Sequence, residues 1–170
     1  MADCRVLGLE DQAIVPAFVG ILQARLKDLA QLDHGTSIVE ASQKYTQEYI
    51  LANLHPRGEK RFVGHFNPSL DGILVEEPDQ YQGEDFVVKM AVINWVMAQI
   101  SGRGIGTELI LDSISRARAR EDDVVKLSVF TKNIKARTLY ERLGFELNQE
   151  YDEGRKLLMC YYLNPEMRPR

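Results

Sequence analysis

Apolar side chains recur along this chain with two different periods, and the change of period separates helical from extended stretches. From about Asp11 to Leu32, Ile14, Phe18, Ile21, Leu22, Leu29 and Leu32 repeat at helical spacing. Pro16 falls early in that run, so the first turn is irregular or the helix starts nearer Val15. Ser37-Ile38-Val39-Glu40 has the form of a capping box, in which each side chain satisfies the other's backbone donor. It predicts a second helix through Ala41, Tyr45 and Tyr49 to His55-Pro56, where the proline ends it. A short strand from Cys4 to Gly8 precedes both helices.

The texture then becomes extended. Arg61 to Asn67 and Gly72 to Glu77 flank the turn-rich Pro68-Ser69-Leu70-Asp71-Gly72 and read as a hairpin. Phe86 to Ala98 is almost continuously apolar, which predicts a central strand buried on both faces. Ile105 to about Arg120 reads as a helix with Leu111, Ile114 and Ala117 inward, and Val124 to Thr131 as a strand. Asn133 is placed to cap a helix whose inner face carries Ala136, Leu139, Tyr140 and Leu143, with Gly144 as its stop. Phe145 to Glu150 and Arg155 to Leu163 form a last hairpin around Asp152-Glu153-Gly154. No repeat, linker or low-complexity tract divides the chain, so residues 1–170 are expected to form one domain with a mixed α/β sheet.

Composition narrows the setting more than the chemistry. With 45% apolar and 27% charged residues, a chain of 170 residues can bury a core without disulfides or metals. Cys4 and Cys160 are too few for a disulfide framework or a four-cysteine zinc site, which suggests a reducing, cytoplasmic environment. No apolar run reaches the ~18 residues of a membrane helix, so no membrane partner is expected. The net charge of −4 argues against general nucleic-acid binding, which depends on neutralising phosphates. The charge is also uneven. Residues 61–100 carry Arg61 and Lys89 against Asp71, Glu76, Glu77, Asp79, Glu84 and Asp85, whereas the last segment is slightly basic.

The most informative segment is Val96-Met97-Ala98-Gln99-Ile100-Ser101-Gly102-Arg103-Gly104-Ile105-Gly106-Thr107, a buried strand running through a glycine-spaced turn into a helix. Glycine lets the backbone approach a ligand and adopt positive φ, and the helix-start amides then point at an anion. Such a turn is a diphosphate cradle, or else a tight strand-to-helix connection without a ligand. A P-loop would need a Gly-Lys pair that is missing, and a dinucleotide fingerprint from Gly102 would need glycine where Thr107 stands.

The segment resembles the cofactor motif of the GNAT superfamily of N-acetyltransferases, Arg/Gln-x-x-Gly-x-Gly/Ala, with Ser101, Gly104 and Gly106 at the defining positions. The run from Asn133 to Phe145 is similar to the family's second signature, Asn-x-x-Ala-x-x-x-Tyr-x-x-x-Gly-Phe, at every stated position. The resemblance implies a largely antiparallel α/β (α+β) sheet of about seven strands with about four helices. It implies acetyl-CoA as co-substrate. The pantetheine arm would pair with the central strand where it splays from its neighbour, at Trp95, Val96, Met97 and Ala98. An N–H near Val96 or Met97 would hold the acetyl carbonyl. Amides from Gly102 through Arg103, Gly104, Ile105 and Gly106 to Thr107 would hold the pyrophosphate, and Asn133 would bond the pantetheine. Lys135 or Arg137 would lie near the nucleotide end, and Tyr140 would protonate the departing thiolate. Ser101 departs from the pattern by lacking a long polar side chain, a loss that Arg103 is placed to offset.

A direct attack by an amine requires a proton acceptor. The candidates are His65, Glu76, Glu77, Glu84 and Asp85, while His34 and His55 fall at helix ends. The acidic stretch from Asp71 to Asp85 suggests a cationic amine acceptor, small molecule or peptide. The expected assembly extends to a homodimer. The rival readings are a non-catalytic CoA or acyl-CoA sensor with the same fold, a transferase of another acyl group or to a hydroxyl, and an enzyme acting on charged tRNA, which the acidity disfavours.

Overall fold

A computed structural model describes residues 3–30, 46–53 and 60–169. The strands are β1 (Asp3–Val6), β2 (Arg61–Phe66), β3 (Leu70–Gln82), β4 (Val87–Ala98), β5 (Val124–Phe130), β6 (Glu146–Tyr151) and β7 (Lys156–Tyr162). They hydrogen-bond in one seven-stranded sheet, ordered β1-β2-β3-β4-β5-β7-β6. β4 and β5 are parallel, whereas β1 with β2, β5 with β7 and β6 with β7 are antiparallel. The helices are α1 (Val15–Ala30), α2 (Gln47–Asn53), α3 (Ile105–Ala119) and α4 (Ile134–Arg142). This is the expected mixed, largely antiparallel α/β architecture. Contacts gather it into two compact units, Met1–Val75 with Trp95–Ile110, and Glu76–Asn94 with Leu111–Arg170.

In the first unit β1 pairs with β2 from Asp3–Phe66 to Val6–Val63. A 3-10 turn, Leu9–Ile14, then leads into α1, so the α-helix begins at Val15 with Pro16 in its first turn, where a missing N–H costs nothing. Asp11 holds that turn through Gly8 N–H and a two-pronged pair with Arg5, and these bonds hold its carboxyl below the usual range against the cost of burial. Val15, Phe18, Leu22 and Leu26 fill the core beneath α1, with the Phe18 ring edge-on to Phe62 at 5.7 Å. Gly72 on β3 is required by close packing: a Cβ there would overlap the Ile105 side chain and lie 3.1 Å from Leu109. α2 starts after Thr46, whose hydroxyl accepts from Tyr49 N–H. The predicted box Ser37–Glu40, the run to Tyr45, and His34, Leu32, His55 and Pro56 lie outside the described residues.

In the second unit the β4–β5 ladder runs from Met90–Val124 to Ile93–Leu127. β7, carrying buried Leu157, Met159 and Cys160, enters between β5 and β6. That leaves β6, with its polar sequence, as an exposed edge. Its hairpin turns through Asp152, Glu153 and Gly154, all at positive φ.

Two packing expectations are corrected. β4 is not buried on both faces: Ala91, Ile93 and Met97 are buried while Val92, Asn94, Val96 and Ala98 are half-exposed, an alternation its apolar composition conceals. On α3 the inner stripe is Ile110, Ser113, Ile114 and Ala117, and Leu111 is 49% exposed. The helix spends an inward position on serine because Ser113 has a buried carboxylate to meet.

Candidate active site

The strand-to-helix turn has the geometry its glycines anticipate. Gly102 and Gly104 sit at φ +85° and +84°, which side chains with a Cβ rarely adopt. Gly106 lies inside the first turn of α3 and does not bend the chain. Ser101, Gly102, Arg103 and Gly104 are exposed. The first intrahelical bond runs from Glu108 N–H to Gly104 O at 3.0 Å. Helix geometry therefore leaves the amides of Ile105, Gly106 and Thr107 without a carbonyl in their own helix, at the positive end of its dipole. Exposed glycines at positive φ leading into those amides form a surface suited to a polyanion.

Two interactions that the sequence did not disclose hold this turn. Arg25 on α1 donates to the carbonyls of Ala98 at 2.8 Å and Gln99 at 2.6 Å, fixing the end of β4. With Gly20, Ala24 and Leu70 it lines a cleft of about 510 Å³. His65, 1% exposed, lies between two carboxylates: Nδ1 is 2.5 Å from Asp71 Oδ1 and Nε2 is 3.0 Å from Glu108 Oε2. Burial pulls the imidazole pKa down, but hydrogen bonds and charge from Asp71 and Glu108 outweigh it and hold the pKa above the ordinary value. Neither contact has a local signature, since 73 residues separate Arg25 from Ala98 and 43 separate His65 from Glu108.

At the end of β4, Trp95, Val96 and Ala98 are half-exposed and Met97 is buried. The last rung of the β4–β5 ladder is Ile93–Leu127, so all four residues lie past it.

α4 carries the second motif. Asn133 is its N-cap, accepting from Ala136 N–H at 3.3 Å through Oδ1, which leaves the Nδ2 donor for another partner. Lys135 is exposed, whereas Arg137 donates to the Thr131 carbonyl at 3.2 Å. Gly144, at φ +94°, closes the helix: Phe145 N–H bonds Tyr140 O and Gly144 N–H bonds Glu141 O, both at 3.0 Å. In this Schellman closure the residue after the glycine packs on the residue whose carbonyl it caps, and the Tyr140 and Phe145 rings stand 5.9 Å apart. Tyr140 is buried, and burial pushes its pKa up to about 12, so it is a neutral phenol at any physiological pH.

Two of the proton-acceptor candidates are already engaged. His65 is held between Asp71 and Glu108. Glu76 is fully buried, accepting from Ser113 Oγ at 2.5 Å and from two Arg116 nitrogens at 3.2 Å, with Arg120 at 3.5 Å. Burial raises its pKa, but the Arg116 and Ser113 contacts overcome that and keep it low. Asp79 pairs with Lys126 at 2.8 Å, so Asp71, Glu76 and Asp79 of the acidic stretch serve internal partners. Glu77 is half-buried, and Glu84 and Asp85 are exposed. Among the described residues no helix is long and apolar enough to cross a membrane, and no cluster of three metal-binding side chains occurs.

The profile of the acetyltransferase (GNAT) family matches residues 79–145, which contain both motifs. N-alpha-acetyltransferase 30 of Schizosaccharomyces pombe is 29% identical over 142 residues, covering 82% of this chain and 85% of the relative. PaiA N-acetyltransferase of Thermoplasma acidophilum, solved with coenzyme A, superposes with a TM-score of 0.74 at 17% identity, covering 95% of this chain and 99% of that one. NAA60 of Arabidopsis thaliana, solved with a bisubstrate analogue, gives 0.66 at 15% identity, covering 96% and 100%. The segment holding both motifs is thus similar to the acetyltransferase (GNAT) family, and the chain shares the fold of these solved N-acetyltransferases.

Proposed function

We propose that this protein transfers the acetyl group of acetyl-CoA to a primary amine, by direct attack in a ternary complex. The observation that carries the reading is the exposed turn at Gly102 and Gly104, which opens onto the first amides of α3, those without a carbonyl in their own helix. In this reading amides from Gly102 to Thr107 receive the pyrophosphate, with Arg103 nearby and Ser101 too short to help. Main-chain groups of Trp95 to Ala98 pair with the pantetheine arm, and Asn133 Nδ2 donates to it. Lys135 serves the nucleotide end in preference to Arg137, which is committed to its own loop. A main-chain N–H at Val96 or Met97 polarises the thioester carbonyl, a contribution of about 3 kcal/mol to the barrier. The neutral amine attacks that carbon, the C–S bond breaks, the sulfur leaves as a thiolate, and the proton lost from the nitrogen passes to solvent. A phenol at about 12 holds its proton more tightly than a thiol of pKa ~8.5. Tyr140 therefore serves the thiolate as a hydrogen-bond donor, and full proton transfer comes from solvent.

The acceptor follows from proton affinity. With His65 and Glu76 engaged in ion pairs, the amine that loses its proton most easily is favoured. At pH 7.5 roughly a third of peptide α-amino groups are neutral, against roughly 0.1% of lysine side chains. The likeness to N-alpha-acetyltransferase 30 supports the same choice. A cationic acceptor, by contrast, rests on the exposed Glu84 and Asp85, because Asp71, Glu76 and Asp79 are internally paired and Glu77 is half-buried.

The test is free-thiol release from acetyl-CoA with a peptide bearing a free α-amine, the same peptide blocked at its N-terminus but carrying lysine, and a polyamine. Release is expected with the free α-amine first. Coenzyme binding with no thiol release from any amine would instead return the sensor reading.

A further inference from the structure

We propose that His65 is a positioning residue for the coenzyme: its doubly donating imidazolium ties the start and the end of the glycine turn into one preorganised cradle. The inference rests on the proposed coenzyme site. Its basis is an unbroken run of hydrogen bonds bracketing the turn. Gln99 N–H, just before the turn, donates to Asp71 O at 2.7 Å, and the carboxylate of the same Asp71 meets His65 Nδ1 at 2.5 Å. His65 Nε2 meets Glu108 at 3.0 Å, and Glu108 N–H donates to Gly104 O, closing the circuit at the far side. Both ring nitrogens face carboxylate oxygens, which only accept, so only the protonated ring satisfies both ends.

The charge acts in the same direction. Glu108 stands in the first turn of α3, half-exposed, among the amides proposed for a diphosphate. Left uncompensated, its carboxylate would repel that ligand and compete for the helix dipole. Among the described residues, the titratable groups next to the ring are Asp71 of β3 and Glu108 of α3, with Cys4 of β1 opposite His65 in the ladder. Gly72 admits α3 against this position, its missing Cβ lying 3.3 Å from the His65 Cβ.

The test compares the wild-type protein with His65→Gln and Glu108→Ala in two measurements. The first is hydrogen exchange, without ligand, of the Gln99 and residue-108 amides, the two bonded N–H groups of the circuit, which does not depend on coenzyme binding. Exchange is expected to accelerate at least fivefold in both variants. Because Glu108 is at the surface, Glu108→Ala keeps the question open should His65→Gln unfold. The second is the dissociation constant of CoA from pH 6.5 to 9. The coenzyme's own phosphate titrates identically in each protein, so the ratio between proteins is the readout. Wild type is expected to bind about tenfold tighter than His65→Gln at pH 6.5, within the usual range for linked sites, with the advantage fading as the ring loses its proton. A ratio that is the same at every pH, or unchanged exchange in Glu108→Ala, would overturn the proposal. Absence of CoA binding to the wild type would sink the coenzyme reading, while the exchange measurement still judged the role of His65.

Discussion

Replacing Glu76 by glutamine removes one negative charge from a fully buried position while leaving its size unchanged. The carboxylate accepts from Ser113 and twice from Arg116, and Arg120 lies 3.5 Å away. A unit pair about 4 Å apart is worth roughly 4 kcal/mol at an effective dielectric near 20. Removing one partner of a buried pair typically costs about 3–5 kcal/mol, because the other charge stays behind without compensation. The Arg116 side chain is 19% exposed and keeps Asp112 as an ion-pair partner, and Arg120 keeps Asp122, which places the cost at the lower end, about 3 kcal/mol. For a chain of this length that corresponds to a fall in melting temperature of roughly 6–12 °C.

The pH dependence has a definite sign. The folded pKa of Glu76 lies below the ordinary glutamate value, so its contribution is complete above that value and is lost as pH falls through the folded pKa. Thermal and urea unfolding at neutral pH should show the full gap between the two proteins, and the gap should close in acid. Thiol release at a temperature where the variant is folded should stay within a few-fold of wild type. A variant as stable as wild type but inactive would refute the reasoning and restore Glu76 as a proton acceptor.

Tyr140→Phe should lower kcat about 10- to 100-fold with little change in acetyl-CoA KM, since it removes one charge-assisted hydrogen bond from the departing thiolate; an unchanged kcat would leave Tyr140 with packing alone. Gly104→Ala meets only Glu108 Oε1, at 3.8 Å, so its penalty is the left-handed backbone, about 1–2 kcal/mol. Calorimetry should show CoA binding about tenfold weaker if the turn relaxes, and unchanged binding would remove the turn from the coenzyme site. Ser101→Arg should strengthen CoA binding about three- to tenfold by restoring a long cation at the vacant motif position, with the gain shrinking in high salt.

Patterns confined to one element were legible from the chain alone. The start of α1 near Val15, the capping role of Asn133 and the stop at Gly144 each depend on a few adjacent residues, and each is found. The glycine turn was legible for the same reason, although the residues bending it are Gly102 and Gly104, and Gly106 is helical. Long-range pairing was not legible. That β7 enters between β5 and β6 depends on which strand offers an apolar face, and the hairpin alone does not decide it. His65 and Glu76 looked like candidate proton acceptors because Glu108 reaches the one from 43 residues away and Ser113 the other from 37. A lone histidine or glutamate in a strand carries no mark of the ion that will neutralise it. The exposed Leu111 and the buried Ser113 are the same lesson in one helix: the partner, not the side chain's own polarity, settles which residue turns inward.

α4 is closed at both ends by side-chain and backbone devices, Asn133 before Ile134 and the Schellman closure over Gly144. The residue whose carbonyl is capped there is Tyr140 itself. In the proposed reaction the distance between cap and stop is therefore a functional dimension as well as a structural one. One residue inserted between Lys135 and Leu139 would turn everything after it by about 100°. Such a helix would still be capped, still be closed by glycine, and still bury an apolar face of similar size. Its tyrosine would point elsewhere. With Tyr140 in its proposed role, a change of helix length is thus a way to lose catalysis while retaining a foldable chain.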